Sequence, residues 1–572
     1  MPMPPRAHAL ILAAGLALAS LPGSLAAFEG NAGAYLAGQS ASGHNDYRAA
    51  ASFYTRALIE DPRNPGLMEN AILGNIGQGA IDRAVPIAMR LEGIGGQSQL
   101  AGLVLLAEAA GKDEWERVLE RLDAGDSAVG PLVVGLARAW ALLGAGRMSE
   151  AATAFDEIAE SDGLRSFALY HKALALASVG DLEGADAILG GDAGGPIRST
   201  RRGVLAHAQV LSQLERGPDA TALIDTVFGV NPDPDIAALR ARIAAGETVG
   251  FDVVRDAGDG LAEVFFTVAG ALSGESSDTF TLVYARLAEY LRPDLVDALL
   301  LSAGILEDQG QFELATAAYN RIPPGDPSYP SAEIGRADAL VQAGRVEAAV
   351  EALEQLTRSH PDLMLPWAKK GDVLRRAERY GEAAAAYDEA IARLGPEEPG
   401  HWFIYYARGI SHEREKEWPA AEADFRKALA LNPDQPQVLN YLGYSFLELQ
   451  TNLDEALEMI ERAVAARPDS GHIVDSLGWA YYRLGRYDEA VVQMERAISL
   501  MPDDSIVNDH LGDVYWAVGR KREAEFQWRR ALSFGPETED EADRIRRKLE
   551  VGLDAVLAEE GAPPLQVVND DG

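Results

Sequence analysis

Aromatic and acidic side chains recur at matching places in four consecutive segments of the C-terminal half of this chain. Within a segment they lie three or four residues apart, which puts them on one face if the segment is a helix. Such a face offers rigid apolar anchors beside polar groups that fix register, as a peptide-binding surface does. It predicts recognition of a protein or peptide that is basic or apolar at the contact. The residues are Tyr406; Asn440 and Tyr444; Asp475, Trp479 and Tyr482; and Asp509, Asp513 and Trp516.

No arrangement of residues typical of an active site is visible in the sequence. The chain has nine histidines, which are scattered, and no cysteine, so disulfides, thiol nucleophiles and cysteine metal sites are excluded. His412-Glu413 is interpreted as part of an ordinary helix face. The carboxylates at 252, 256 and 259 lack the spacing of a calcium loop, and the glycines at 190–195 lack that of a phosphate loop. We therefore expect no enzyme, no cofactor and no metal.

The charge of the chain argues against nucleic acid as a partner. The formal net charge is −37, whereas a phosphate backbone requires a basic surface. The densest basic stretches are 520–522, 529–530 and 544–548, all interleaved with acids. Two interpretations stay open for them: solvated helix faces, or a docking patch for an acidic partner.

A repeated alanine indicates the elements that carry these residues. Successive members of the series are 34, 34, 38, 35, 34 and 34 residues apart. A period near 34 is typical of stacked helix–turn–helix units, which form an open array rather than a closed core. The members are Ala315, Ala349, Ala383, Ala421, Ala456, Ala490 and Ala524.

Two units, 471–504 and 505–538, carry the pattern most fully. Gly478 and Ala490 let helices approach closely, Gly485 supplies a positive φ at a helix end, and Pro502 stops the second helix. These residues resemble the tetratricopeptide repeat (TPR). The resemblance implies that first helices line a concave side, with repeat positions 2, 5, 9, 12 and 13 pointing inward. Trp479 is then expected to be the most exposed aromatic residue, while Tyr482 and Trp516 could instead pack between first helices.

The predicted fold is all-α, a TPR superhelical solenoid with a C-terminal capping helix. A degenerate TPR-like array is predicted over 27–244, and an array of about eight repeats over 262–538. Residues 245–261 are predicted to form an irregular break, extended over 248–254 and turning at 257–260; a degenerate second helix is the alternative. A single capping helix at 539–560, with Ile545, Leu549, Leu553 and Val556 on one face, and a flexible tail at 561–572 complete the prediction.

The first residues have the features of a secretory signal. Arg6 precedes an apolar run at 9–21, and Ser24-Leu25-Ala26 is a small-x-small cleavage site. We expect cleavage near Ala26/Ala27 and a periplasmic mature chain; an apolar N-terminal helix is the alternative. No other segment is apolar enough to span a membrane, and without a cysteine we expect no lipid anchor.

Four strings within 402–538 are more specific than a generic repeat. They are YLGYSFLE, LDEALEMIERAVAARPD, IVDSLGWAYYRLGRYDEA and NDHLGDVYWAVGRKREAEFQWRRAL. They resemble exported multi-repeat TPR proteins of Gram-negative bacteria, of the type that binds and activates a carboxyl-terminal processing protease. The resemblance implies a non-enzymatic adaptor; a passive assembly scaffold for envelope or secretion machinery is the alternative. The lipid-modified cysteine of that type is absent here.

Overall fold

Helices follow one another along the whole described chain. The structure is a computed structural model and describes residues 31–124, 129–161, 163–191, 200–229, 233–274 and 277–565. These ranges contain 31 α-helices and no strand, so the all-α prediction is confirmed. The predicted signal peptide, at 1–26, and the tail beyond 565 lie outside the described residues.

The chain divides into two compact units, the first ending at Ala352. Its helices come mostly in pairs joined by short turns, and helix α19 (Val346–Ser359) crosses the division. The others are α1 (Asn31–Gly43), α2 (Tyr47–Glu60), α3 (Pro65–Gly77), α4 (Ile81–Gly93), α5 (Gln99–Ala110), α6 (Trp115–Asp123), α7 (Pro131–Gly144), α8 (Met148–Ala159), α9 (Arg165–Ser178), α10 (Leu182–Leu189), α11 (Arg201–Gln213), α12 (Gly217–Phe228), α13 (Pro234–Ala244), α14 (Ala257–Leu272), α15 (Asp278–Leu291), α16 (Val296–Asp308), α17 (Phe312–Tyr319) and α18 (Tyr329–Gln342).

The second unit, Leu353–Gly572, is a regular series of helix pairs followed by two terminal helices. A short 3₁₀ helix, Pro399–His401, fills the insertion between two pairs. The helices are α20 (Met364–Arg376), α21 (Tyr380–Ala392), α22 (Trp402–Arg414), α23 (Trp418–Leu431), α24 (Pro436–Glu448), α25 (Leu453–Ala466), α26 (Gly471–Arg483), α27 (Tyr487–Leu500), α28 (Ser505–Ala517), α29 (Lys521–Phe534), α30 (Glu539–Val551) and α31 (Leu553–Glu559).

Small residues set the spacing within each pair of the second unit. A Cβ added at Gly478 would lie 2.8 Å from the Met494 side chain, so only glycine allows α26 and α27 this close. Ala490 and Met494 are fully buried between the two helices. Gly485 has φ = 74°, as predicted for the turn. These positions bear out the repeat pattern.

The first unit departs from a simple array because its inner face is covered by its own chain. Helices α14 and α15 pack against first helices of earlier pairs: α14 contacts α7 and α9, and α15 contacts α3 and α5. Gly260 makes the closest approach, since a Cβ there would lie 2.2 Å from the Trp140 ring. One apolar core therefore runs from Ala34 to Ala298.

Buried charges fix this inner pair of helices. Arg202 pairs with Glu263 (Nη2–Oε2 2.6 Å) and Asp297 (Nη1–Oδ2 2.8 Å), and the Tyr170 hydroxyl donates to Glu263 at 2.8 Å. On α15, Arg286 pairs with Glu289 and donates from Nε to the Gly77 carbonyl at 3.3 Å. Apart from the Arg286–Glu289 pair, whose members are three residues apart, these contacts join residues far apart in sequence and so specify one arrangement.

Two local predictions are wrong. Residues 257–260 do not form a turn but begin helix α14, because Asp256 caps it by accepting from the Asp259 amide. The capping element is two helices rather than one, because Gly552 at φ = 84° breaks it beside Trp516. Its predicted buried face survives, with Ile545, Leu553 and Val556 buried.

Residues 245–256, within the predicted break, are non-helical and anchored. The Gln209 side chain both donates to Asp252 Oδ1 (2.6 Å) and accepts from the Asp252 amide (3.0 Å). Arg292 Nη1 donates to the Val253 carbonyl at 2.6 Å. The carboxylates of Asp256 and Asp259 are engaged in the helix cap and in pairing with Arg255. The predicted limits of the two arrays stay a prediction.

Candidate protein-binding groove

An open groove of ≈ 680 Å³ runs across the first helices α22, α24, α26 and α28 of the second unit. Its walls mix aromatic, acidic and aliphatic side chains, as a polypeptide-binding surface does. Of the predicted site residues, Asn440, Tyr444 and Asp475 line it. The others are Glu413, Arg414, Lys416, Trp418, Tyr441, Ser445, Glu448, Leu449, His472, Ser476, Ile506 and His510.

The central helix, α24, presents an amide with an unmet acceptor. The Asn440 side-chain oxygen is buried, yet it accepts no hydrogen bond from any residue that the structure describes. Tyr444 lies on the same helix, and the pKa of its hydroxyl is raised. Burial is the larger cause, and the nearby carboxylates of Glu448 and Asp475 add to it. Leu449 and Ile506 leave 47% and 40% of their surface exposed in the same groove. The groove therefore presents both polar and apolar groups to a partner.

One end of the groove is an aromatic wall. Tyr406 does not line the groove but packs between Trp402 and Tyr441, at ring-centroid distances of 5.9 Å each. Tyr441 faces the groove and donates its hydroxyl to Glu413 at 3.1 Å. The predicted role of Tyr406 as a direct contact therefore shifts to its neighbour, one position further along the repeat.

A stack of rings forms the floor between α26 and α28. Trp479 lies between Tyr482 and His510, with ring centroids 4.7 Å and 4.1 Å away and planes within 17°. Its Nε1 donates to Glu448 at 2.9 Å. Trp479 is only 8% exposed, so the expectation that it is the most exposed aromatic is wrong. Tyr482 is equally buried, in line with the alternative that it packs between helices.

Asp475 and His510 form an ion pair beside this stack, with His510 Nδ1 3.0 Å from Asp475 Oδ2. Burial lowers the pKa of His510, but the carboxylates of Asp475, Asp509 and Asp513 together outweigh it and raise the pKa. The folded protein therefore holds the imidazolium form more tightly than a free imidazole would. Asp475 is 6% exposed, so the groove meets this pair rather than a free carboxylate.

The last three predicted residues lie under the terminal helices. Lys548, with no side-chain exposure, reaches Asp509 (Nζ–Oδ2 2.8 Å) and Asp513 (Nζ–Oδ1 2.7 Å). The Trp516 indole donates to Asp554 at 2.9 Å. The prediction of an open acidic stripe at Asp509 and Asp513 is wrong, because α30 supplies the neutralising charge. For Trp516, the alternative prediction of packing fits better, although Trp516 packs against α31 rather than between first helices.

The basic stretches are likewise engaged. Arg520 pairs with Glu495 (2.8 Å) and Glu523, and Arg547 with Glu550 and Glu559. These contacts fit the interpretation of solvated helix faces. Lys548 is the exception, because its charge is used inside the molecule.

Several groove residues escaped the sequence reasoning although a signal existed. His472 and Ile506 hold repeat position 2, and Glu448 holds position 13. The resemblance implies that both positions point inward, yet these three residues are not among the predicted site residues. Tyr441 and His510 hold position 6, and no rule pointed to them. Each contacts the preceding first helix: the Tyr441 hydroxyl donates to Glu413, and the His510 ring stacks on Trp479.

Two further features were sought in the part of the chain that the structure describes, a metal centre and a membrane span. Within the described ranges no group of three His, Asp or Glu residues could hold a metal ion. None of the helices described above is both long and apolar enough to cross a membrane.

Comparison with known proteins defines the class. Residues 334–399, 406–471 and 475–504 match tetratricopeptide repeat family models. These segments therefore match the tetratricopeptide repeat, and proteins that contain it generally serve as scaffolds for binding other proteins. These models indicate no catalytic family.

Individual relatives cover parts of the chain. A TPR repeat-containing protein of Pseudomonas aeruginosa is 30% identical over 193 residues, or 33% of this chain and 32% of the relative. Tetratricopeptide repeat protein 13 of Homo sapiens is 26% identical, over 33% and 22%. The chain thus spans a third or less of these relatives. A solved tetratricopeptide repeat protein from Parabacteroides merdae aligns at 16% identity and TM-score 0.37, over 45% of this chain and 98% of that one.

Proposed function

We propose that this protein is a non-enzymatic adaptor of the bacterial cell envelope that holds a segment of a partner protein in the groove around Asn440. The observation that carries the proposal is the buried oxygen of Asn440, which finds no partner in the described part of the chain. An unpaired buried acceptor costs about 1–3 kcal/mol, and a native structure that keeps one calls for an explanation. Rotation of the Asn440 amide would turn this oxygen into the groove, where a backbone N–H of a bound polypeptide would donate to it.

The charges and apolar groups near Asn440 support a partner that is basic or apolar at the contact. Besides the Asp475–His510 pair, the groove carries the carboxylates of Glu413 and Glu448 and the cations of Arg414 and Lys416, and Leu449 and Ile506 are exposed within it. The chain as a whole carries −37. A segment with basic and aliphatic side chains fits both features, and long-range attraction would raise its association rate at low salt.

Asn440→Ala tests the groove without harming the fold. The change removes an acceptor that is already unpaired, so the free energy of unfolding should stay the same or rise slightly. Loss of partner capture together with unchanged melting would therefore mark a binding residue. Trp479, Asp475 and Asp513 are unsuitable for this purpose because they are buried and bonded.

Gln493→Ala is the matched control. Its side-chain oxygen is also buried with no partner among the described residues, but it lies on the second helix α27, away from the groove. The measurement is capture of envelope proteins by the immobilised mature chain, with melting followed by circular dichroism. Equal capture by wild type and both variants would refute the groove as the binding site.

The partner we propose is a periplasmic carboxyl-terminal processing protease together with its substrates. The support is the likeness of the strings in 402–538 to adaptors of that type. A passive assembly scaffold is the alternative. Binding of the purified protease to the mature chain, measured directly and with Asn440→Ala, separates the two, since a scaffold would leave the protease unbound.

Export is part of the same proposal. The signal-like residues 1–26 predict a mature chain beginning near Ala27, in the periplasm. N-terminal sequencing of the protein recovered from an osmotic-shock fraction should read from that residue. Recovery from the cytoplasm with Met1 intact would contradict export, and it would also contradict the proposal that a periplasmic protease is the partner.

A further inference from the structure

Two neighbouring second helices near the end of the array expose apolar side chains on their outer side. Helix α27 exposes Val492 and Leu500, and helix α29 exposes Phe526 and Phe534. The exposed fraction is 62% at Val492 and 56% at Phe526. Within each helix the two residues are eight apart, which places them on one face. Exposed apolar patches of this kind commonly mark an interaction surface.

Stacking of the repeats does not account for these apolar residues. On both helices they hold repeat positions 22 and 30. On the preceding second helix, α25, the same two positions are held by Glu458 and Ala466. Helix α25 stacks in the array with these residues, so the positions have no need of large apolar side chains.

Charges of opposite sign accompany the apolar residues on the two helices. At position 18, α27 carries Asp488 and α29 carries Arg522. Both are exposed, and neither has an ion-pair partner among the residues that the structure describes. At position 25, α27 carries Glu495 and α29 carries Arg529. The outer side is therefore acidic on one helix and basic on the next, at matching positions.

The other charged groups of this outer side are already engaged. Exposed ion pairs of this kind contribute little to stability. Asp488 and Arg522 are thus the charges that an approaching molecule meets unpaired. The engaged contacts are Glu495–Arg520 (2.8 Å), Arg529–Glu525 (2.9 Å), Arg486–Glu489, Arg530 to the Pro502 carbonyl (2.8 Å) and Arg496 to the Pro468 carbonyl.

A second copy of this chain carries the complementary surface. Second helices of successive repeats run in the same direction, so a twofold axis parallel to them sets α27 of one copy against α29 of the other. Position 18 then faces position 18, and Asp488 meets Arg522 of the second copy. In the same way Val492 meets Phe526 of the second copy. Both contacts form twice, because a twofold interface uses the same patch on each copy.

We propose that the outer side of α27 and α29 joins two copies of this chain, with Asp488 of each copy paired to Arg522 of the other around an apolar centre. The surface lies on second helices and the groove on first helices, so both grooves of the dimer stay open. The proposal therefore does not depend on what the groove binds.

The size of the surface sets the expected strength of the dimer. A helix of 14 residues is about 21 Å long, and two such helices side by side cover about 400 Å² per copy. A standard interface covers about 800 Å² per partner. The net charge of −37 on each chain also opposes association at low salt. The dimer should therefore be weak and depend on protein concentration.

Sedimentation velocity of the mature chain tests the proposal, at an ionic strength of about 0.15 M and over about 1–100 µM protein. The average mass of wild type should rise from one chain towards two. Asp488→Arg sets two arginines against each other, and Arg522→Asp sets two aspartates together, so each variant should dimerise at least about tenfold more weakly. An equimolar mixture of the two variants should dimerise again, because both charge pairs are restored in the mixed dimer.

Asp454→Arg is the matched control. Asp454 is exposed and holds position 18 one repeat earlier, on α25, so this variant should dimerise as wild type does. Equal association of all variants, or a mixture that stays monomeric, would overturn the proposal. So would a wild type that stays monomeric to about 100 µM, including one that sediments with anionic vesicles, since a lipid surface would then be the occupant.

A second measurement covers the case in which a charge variant fails to fold. The chain has no cysteine, so Val492→Cys and Phe526→Cys each introduce a single thiol. Mild oxidation of an equimolar mixture should yield a disulfide-linked dimer, because the two positions face each other across the interface. Either variant alone should cross-link much less. Equal cross-linking in the three samples, or none in any, would refute this arrangement.

Discussion

His510 shows how a single residue links the groove to pH. Its imidazole pairs with Asp475 of α26, while Asp509 and Asp513 on its own helix face Lys548 and Arg544 of α30. These carboxylates, against the effect of burial, raise the pKa of His510 in the folded state. The unfolded pKa is about 6.5, so the folded chain holds this proton more tightly than the unfolded chain.

The sign of the pH effect follows from that difference. The His510–Asp475 pair contributes fully to stability below about pH 6.5 and is lost as the pH rises through the raised folded pKa. We expect wild type to exceed His510→Gln in free energy of unfolding at pH 6, with the gap narrowing towards alkaline pH. Denaturant titrations of both proteins across this range measure it. A gap independent of pH would mean that the imidazolium does not form.

The roles of single residues within a repeat could be predicted from the sequence, whereas their contacts with residues of other repeats could not. Gly478, Gly485 and Ala490 behave as the pattern requires, since each serves a contact within its own pair. The predicted exposure of Trp479 and Asp513 is wrong, because His510 of the next repeat covers the first and Lys548 of the cap covers the second. A lysine in a highly charged helix gives no sign that it will be buried.

Among the elements, α14 depends on one glycine. Gly260 lets this helix meet Trp140 of α7, and any Cβ would overlap the indole ring. Gly260→Ala should therefore lower the stability of the first unit by about 1–3 kcal/mol or more, through overpacking. The free energy of unfolding, from denaturant titration, is the measurement.

Gly270→Ala on the same helix is the control. A Cβ there meets nothing within 4 Å, and the residue is exposed, so the change should stabilise the chain by up to about 1 kcal/mol through helix propensity. If both variants proved equally stable, the close approach of α14 to α7 would be disproved.

The sequence held a partial signal for this inner layer. Helices α5 (QLAGLVLLAEAA) and α7 (PLVVGLARAWALLG) are apolar all round, as expected for helices covered on both faces. What covers them could not be predicted, because α14 and α15 follow more than a hundred residues later and make their contacts outside the 34-residue period. Periodicity detects contacts between neighbouring repeats and misses this one.

On the scale of the whole molecule, the two units should respond differently to damage. In the second, each helix pair contacts mainly its neighbours, so Ala490→Leu should cost about 1–3 kcal/mol and act locally. Hydrogen exchange should increase within 471–538 and stay unchanged within 31–64. An increase over the entire chain would contradict this picture.

The first unit is tied together over long sequence distances. Tyr47 donates to Gln309 at 2.9 Å, Gln99 to Tyr284 at 3.3 Å and Tyr290 to Asp82 at 3.1 Å. The expectation of an open array rather than a closed core is wrong for this unit. We therefore expect this unit to unfold cooperatively, as a globular core does, even though its helices follow a repeat.

The filled inner face of the first unit also has a consequence for biosynthesis. Helix α5 ends at Ala110, and α15, which covers it, begins at Asp278, 168 residues later. At about 5–20 residues per second, synthesis leaves that apolar surface uncovered for roughly 10–30 s. During this interval the nascent chain exposes an apolar surface, and a holding chaperone should bind this surface until the inner helices emerge.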